Sequence, residues 1–421
     1  MSIRQSHFET CPTYEYFDQY NFFRSNFQRR YVKASYPALC KSFKDNPHYQ
    51  ALGGQQGQQC IKSVVEGIKS YNQLLKAYWG GNLQQKPRIP HYRKKRGLFM
   101  VAFTSQNIKL DKVTGLLKLP LSKECKSDYI NSEVWIPGAY GFKADQIAEV
   151  RIIPQLGKLW AEFVYKVEEK RATNLDYSQA IGIDPGIDNW LTCVTTQGNS
   201  FIFDGRQVKS VNARYNKLVA KYKKGKSDFY WDEKLDKITH HRSCFIRDAI
   251  NKAARFIINY CLNHGIGNIV FGWGQGIKQE SNLGKRNNQN FVQIPTARLK
   301  ERICELAESV GIKFTETEES YTSKTSFIDN DFLPVYGGEK PANWKPSGKR
   351  VKRGLYRSSA GLLINADCNG AANILRKVTT QLGLNLVKVG KGALTLPKRY
   401  GLDYLSKSYR ERGETRLQSV S

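Results

Sequence analysis

Two aspartates stand where short motifs would hold a carboxylate still. In "AIGIDPGIDNW", residues 180–190, alternating Ile and Gly run into Asp184, and Pro185-Gly186 then force a turn, fixing the acid at the mouth of a strand. In "LLINADCNGAANIL", residues 362–375, Asp367 sits where a helix begins, and Ala366, Gly370 and Ala371 would let that helix lie close against a sheet. Taken singly, Asp184 is equally a turn former and Asp367 equally a helix N-cap. Taken together they suit phosphodiester hydrolysis. Two divalent ions about 4 Å apart need three or more carboxylates to hold them while they activate water and stabilise the leaving oxygen.

The elements around these acids give the pattern its sense. After the polar linker "EEKRATNLDYSQ", with a boundary near residue 175, "QAIGID", "NWLTCVTT" and "NSFIFDG" read as three strands in an antiparallel meander. A basic helical stretch, Arg206 to Lys224, and a long helix ending at Gly265 follow. Then come the strand "NIVFG", the helix "TARLKERICELAESVG", the strand "IKFTETEE" and the helix opening at "ADCNGAANILRK". Three antiparallel strands followed by helices alternating with two more strands is the order of a ribonuclease H-like α/β domain, spanning 176–378. Actin-like ATPases also open a related sheet with Gly-Ile-Asp, but they repeat a second sheet with Gly-rich phosphate turns, which is not found here.

Upstream, residues 1–175 predict a small antiparallel β-barrel or sheet, its strands between Leu98 and about Lys170, with a basic helical region at about 12–85 inserted in it. Between helices and strands lies "KPRIPHYRKKRG", whose prolines prevent a helix. Its Arg88, Arg93, Lys94, Lys95 and Arg96 form a cationic strip suited to backbone phosphates. Residues 379–421 read as a flexible basic tail. The class is therefore multidomain α+β.

Charge points the same way. Against 37 Asp and Glu stand 66 Lys and Arg, a formal net charge of +29 spread along the chain; solubility does not need so much of one sign, and a polyanionic partner explains it. No long apolar run or signal-peptide pattern suggests a membrane partner, so a cytoplasmic protein is expected. The 9 cysteines are odd in number, scattered and never spaced C-x-x-C, against a disulfide framework or a zinc ribbon.

The ordered set "GIDPG", "SYTSKTS", "KRGLYRSSAG" and "NADCNGAANI" resembles the TnpB (OrfB) proteins of bacterial insertion sequences, relatives of the type V CRISPR effectors. The resemblance implies an RNA-guided DNA endonuclease: a helical recognition domain inserted in a wedge barrel, then a RuvC nuclease domain using Mg²⁺ at a two-metal site, a guide RNA transcribed from the element, and target double-stranded DNA read beside a short flanking motif. The protein would then be nucleoid-associated, with Lys349, Arg350 and Arg353 joining the upstream strip as nucleic-acid contacts.

This chain departs from that pattern twice. Where family members end the strand matching "NIVFGWGQG" in Glu-Asp-Leu, Gly272, Trp273 and Gly274 stand instead. Where they carry two C-x-x-C pairs, the matching positions are Ser326 and Asp329, then Arg357 and Ala360, which cannot make a thiolate zinc site. Segment 322–362 is thus expected to be a zinc-free ribbon, held by packing of Phe332, Tyr336, Trp344, Leu355 and Tyr356. The missing Glu leaves either an inactive nuclease, an RNA-guided repressor-like DNA-binding protein, or a relocated acid. Glu316, Glu318 and Glu319 all lie on the neighbouring strand; Glu319 abuts "SYTSK" and is the expected third member with Asp184 and Asp367, with Glu318 in reserve.

Overall fold

The computed structural model describes residues 35–90, 98–111, 113–122, 134–137, 146–166, 172–274, 294–335, 337–338, 341 and 343–404. Arg93, Lys94, Lys95 and Arg96 of the cationic strip, and Tyr336, lie outside them; Arg88 is exposed. The chain divides into two compact units, Met1–Glu168 and Glu169–Ser421.

In the first unit, helices α1 (Tyr36–Ser42), α2 (Pro47–Leu52) and α3 (Gly54–Trp79) precede the strands. The Asn46 side chain caps α2, accepting from the backbone N–H groups of His48 and Tyr49, and Pro47 takes the first helical position, where its missing N–H costs nothing. Strands β1 (Val101–Thr104), β2 (Lys109–Leu110), β3 (Leu116–Leu119), β4 (Val134–Pro137), β5 (Ile147–Gln155) and β6 (Lys158–Tyr165) form two three-stranded antiparallel sheets, β1-β5-β6 and β2-β3-β4. One apolar core of Val101, Phe103, Leu117, Leu119, Ile147 and Val150 draws residues from both. Where a barrel was expected, the described residues thus make two small sheets over a shared core and no closed barrel. Closure needs strands long enough to tilt and stagger round an axis, and β1 to β4 have four residues or fewer.

The second unit opens with β7 (Asp176–Pro185), β8 (Asn189–Thr195) and β9 (Ser200–Asp204), the antiparallel meander read from the sequence. Helices α4 (Arg206–Lys223) and α5 (Glu233–Asn263), strand β10 (Ile266–Gly272), helix α6 (Thr296–Glu308) and strand β11 (Lys313–Thr317) follow. Next come a small antiparallel sheet of β12 (Lys349–Lys352), β13 (Leu355–Arg357) and β14 (Leu363–Asn365), then α7 (Ala366–Lys377), α8 (Thr379–Leu382), α9 (Lys391–Thr395) and β15 (Lys398–Tyr400). The central sheet has the order β11-β10-β7-β8-β9-β15, with β10 parallel to both β7 and β11.

Each face of this sheet has its own core. Ile181, Ile183, Leu191, Cys193, Ile269 and Phe271 pack with α5 and α6, whereas Ala180, Val194 and Val270 pack under α7. The small residues let α7 approach closely: a Cβ at Gly182 would lie 2.6 Å from the Ala371 carbonyl oxygen, so helix backbone rests on strand backbone. Residues 379–404 are not the free tail that composition suggested. Leu384, Val389, Leu394 and Leu402 are buried, and β15 pairs in parallel with β9 as the outer strand. Apolar residues spaced among lysines suffice to anchor an edge strand, although they show no sustained period.

Candidate active site

Asp184 lies one pair from the turn end of β7, opposite Thr192 of β8, on the α7 face of the sheet. It does not act as the turn former. The β7–β8 turn is closed by the Gly186 N–H donating to the Trp190 carbonyl, while Asp188 takes Lys209 at 2.9 Å and the guanidinium of Arg353. Asp367 is likewise freed from capping. The Asn365 side chain caps α7, accepting from the N–H groups of Asp367 and Cys368, which leaves the Asp367 carboxylate in the first helical turn to face outward.

The structure places the three glutamates of the β11 segment differently. Phe314 packs with the α5 and α6 core, so its face, shared by Glu316, points away from α7. Glu316 pairs there with Lys300 of α6 at 2.6 Å. β11 ends at Thr317, and Glu318 reaches Lys377 of α7, whose side chain is only 6% exposed. Glu319 comes next and makes no ion pair among the described residues. Its backbone carbonyl accepts from the Thr322 hydroxyl at 2.7 Å, tying the "SYTSK" segment to it.

The three carboxyls are electrostatically joined. Half-buried Asp184 has its carboxyl held well above the usual carboxylate range by desolvation, then by Glu319 and Asp367, with Arg350 opposing. Glu319 is raised by burial and by Glu318, offset by Lys377. Asp367 is held from two sides: Asn189 Nδ2 donates to its Oδ2 at 2.6 Å, and Arg350 lies 3.4 Å from its Oδ1.

Oxygen donors of this kind fit hard divalent cations. Two observations bear on such a site. The hydroxyl of Thr192, 1% exposed and paired with Asp184, is buried without a partner among the described residues. Yet among the described residues no three acidic, His or Cys side chains converge closely enough to surround one ion. Both oxygens of Asp367 are already engaged, by Asn189 and Arg350. Arg350 and Arg353, expected as free phosphate contacts, are therefore bonded to acids at this edge; Lys349 is exposed.

Sequence reading missed the groups that hold the acids in place. Asn369 and Asn373, one turn apart and fully buried, donate to the carbonyls of Thr322 and Thr325 at 2.8 to 3.5 Å, fastening the segment after Glu319 to the helix that carries Asp367. Two asparagines at i, i+4 in an alanine-rich helix are the available signal. Asn189 had none. In the ribbon, Asp329 accepts from Ser347 Oγ at 3.1 Å and from Ser359 N and Oγ at 2.9 and 2.7 Å, and Asp331 accepts from the N–H groups of Ser326 and Ser347. Tyr356 is fully buried as expected, its hydroxyl donating to the Lys324 carbonyl, but Phe332 is 54% exposed and contributes no core. Carboxylates gathering serines, more than aromatic packing, tie the ribbon together.

Residues 162–274 match the family model OrfB_IS605, described as a probable transposase. That stretch contains Asp184 and Gly272 and stops before Glu319 and Asp367. A search of curated proteins finds no match. Among solved structures, a Cas12f1–sgRNA–target DNA complex is similar at 16% identity, covering 87% of this chain and 81% of that one, with a TM-score of 0.46. A CRISPR-Cas12f ternary complex is similar at 15% identity over 88% and 80%, with a TM-score of 0.33. By the segment that carries its first-strand aspartate, the chain is similar to the OrfB proteins that this family model describes.

Proposed function

We propose that this protein is an RNA-guided DNA endonuclease of a transposable element, hydrolysing target phosphodiesters at a RuvC-type site formed by Asp184, Glu319 and Asp367. The observation that carries the reading is the half-buried Asp184 carboxyl near the end of the central strand, packed against Gly370 of α7 and held above the usual carboxylate range by desolvation and then by the charges of Glu319 and Asp367. A structural protein gains nothing from massing like charges there. The strand order and the α7 face are those expected of a ribonuclease H-like domain, which supports the same reading. The net charge of +29 supports a guide RNA and a DNA target as partners.

Asp184, Glu319 and Asp367 would hold Mg²⁺. When bound, such ions supply activation of water and neutralisation of charge at the scissile phosphate. The chain's own residues do the positioning: Asn189 orients Asp367, Lys377 neutralises Glu318 so that Glu319 alone stays available, and Gly370 makes room for the Asp184 carboxylate. Arg350, within reach of both Asp367 and the Asp184 field, is placed to meet phosphate once it leaves Asp367. The bonds of Asn189 and Arg350 to Asp367 favour a second reading, a nuclease-inactive RNA-guided DNA-binding protein in which Arg350 permanently satisfies the acid.

The deciding experiment co-expresses the protein with RNA from its flanking element and assays cutting of a matched plasmid with and without Mg²⁺. Mg²⁺-dependent cleavage abolished by Asp184→Ala establishes the first reading. Guide-dependent binding without cleavage establishes the second, and equal target affinity after removal of RNA would sink both.

A further inference from the structure

We infer that the turn joining α4 to α5, residues 224–232, is a stacking platform for single-stranded nucleic acid, with phosphates led to it along α4. The inference rests on the reading above that the chain handles nucleic acid, and it adds a site distant in sequence from the carboxylates.

Helix α4 contains no acidic residue. Arg214, Lys217, Lys221 and Lys224, all exposed, fall at steps of three and four residues and so lie along one stripe, about 15 Å from end to end at 1.5 Å per residue. The stripe leads to Phe229, 97% exposed, and Trp231, 46% exposed. A lone exposed apolar residue needs no explanation. These differ because the turn around them is firmly built. Lys223 Nζ donates to the Asp228 carbonyl at 2.9 Å, the Tyr230 hydroxyl donates to Asp232 Oδ2 at 2.7 Å, and Trp231 Nε1 donates to Asp236 Oδ1 at 2.7 Å. Asp232 also caps α5 through the Leu235 N–H.

The helices beneath are pinned together by Arg242, which donates to Asn212 at 2.7 Å and stacks 4.9 Å from the Tyr215 ring centre. Of the acids near the stripe, Asp232, Glu233 and Asp236 are already bonded, Glu233 to Lys237 at 2.8 Å, which leaves exposed Asp228 as the one acid set against the four cations. Lys226 and Lys223 lie over the Tyr230 and Trp231 rings at 3.6 and 5.4 Å. A preordered aromatic tip at the end of a one-sign stripe is the combination that binds unpaired bases by stacking and their backbone by charge. Duplex offers no free base faces to it.

The test uses the full chain, freed of RNA by nuclease and high salt, titrated with fluorescein-labelled dT15, U15 and a 15-base-pair duplex; the dT15 and U15 arms separate DNA from RNA as the preferred strand. Phe229→Ala should weaken single-strand binding about 10-fold, with the duplex unaffected and the slope of affinity against salt unchanged. Joint replacement of Lys217, Lys221 and Lys224 by Ala should instead lower that slope by about 2. Phe229→Trp should restore affinity. Because Phe229 is nearly wholly exposed, these changes leave the fold intact. If Phe229→Ala binds dT15 and U15 like the unaltered chain, the platform does not exist. If it instead abolishes self-association seen by sedimentation while single-strand binding persists, the tip is a protein contact and the inference is wrong. Asp184→Ala, which should bind normally and not cut, separates this outcome from a failure of the nuclease reading.

Discussion

Replacing Gly370 by Ala separates catalysis from stability. A Cβ at this position would lie 2.6 Å from Asp184 Oδ2 and 3.3 Å from its Cγ, where ordinary contact begins at 3.4 Å. Something must yield by about 0.8 Å. Helix α7 cannot, because its Ala371 carbonyl already sits against Gly182, where a Cβ would come within 2.6 Å. The Asp184 carboxylate therefore moves. Stability changes little, since Ala is favoured over Gly inside a helix by about 1 kcal/mol, which offsets a comparable cost of turning the carboxylate. The melting temperature should stay within about 4 °C of the unaltered protein. A misplacement approaching 1 Å at a reacting group costs on the order of 100-fold, so single-turnover cleavage should fall by about that factor. Mn²⁺ uptake followed by electron paramagnetic resonance should weaken in parallel. Gly392→Ala, with no atom within 4 Å of the added carbon, is the control and should match the unaltered chain. Undiminished cleavage and Mn²⁺ affinity in Gly370→Ala would refute the placement of Asp184 at the centre of the site.

The neighbouring glutamates should behave differently from one another. Glu319→Gln should abolish cleavage as Asp184→Ala does while guided binding persists, and Glu316→Gln, which releases only Lys300 on the face away from α7, should cut normally. Glu318→Gln strands the nearly buried Lys377 and should lower unfolding free energy by about 2 kcal/mol in urea titrations, a loss absent from Glu319→Gln. In the ribbon, burial pushes the Asp329 carboxyl up but hydrogen bonds from Ser326, Ser359 and Ser347 outweigh it, leaving its pKa below the usual value. Its stabilising contribution is thus complete above the unfolded pKa of about 3.9 and disappears as pH falls through the folded one, so protease sensitivity of the 322–362 segment should rise only in acid, and Asp329→Asn should show that sensitivity already at pH 7. Metal analysis should find no tightly held zinc, and strong chelators should leave the melting temperature unchanged.

Much of the second unit could be read from residues because its signals are local. Alternation in "QAIGID", the Pro185-Gly186 turn and the small residues of "NADCNGAANI" each specify an element, and the two strands and helices between them follow in order. What could not be read depends on partners distant in sequence. Asn189 meets Asp367 across 178 positions, and Asp329 gathers Ser359 across 30, distances at which a single sequence carries no pairing information. The end of the chain misled for a related reason: β15 has three residues, and its place beside β9 is fixed by tertiary pairing rather than by any period of its own. Lys349, Arg350 and Arg353 read simply as charge, and only the fold sets Arg350 and Arg353 against Asp367 and Asp188.

The glutamates show how strand parity bears on the proposed site. Alternation along "IKFTETEE" puts Glu316 and Glu318 with Phe314, and Glu319 opposite, which disfavours Glu319 if Phe314 marks the site face. Phe314 marks the other face, packed with α5 and α6. On the α7 side the order is Lys313, Thr315 and Thr317, and the next residue of that parity is Glu319. Gly272 stands where the resembling proteins would place a glutamate. It follows Phe271, the last recorded partner of Ile183, and a Cβ on it would sit 2.4 Å from Ile374 Cδ1, directly under α7. With Ile374 filling that space, a side chain at 272 has no room unless the isoleucine turns away. The neighbouring strand, pairing Thr317 with Gly272, then carries its chain two residues further before supplying a carboxylate. In the proposed site Glu319 would serve from beyond the strand end instead of from within the sheet, a position the Ile374 packing at Gly272 leaves open.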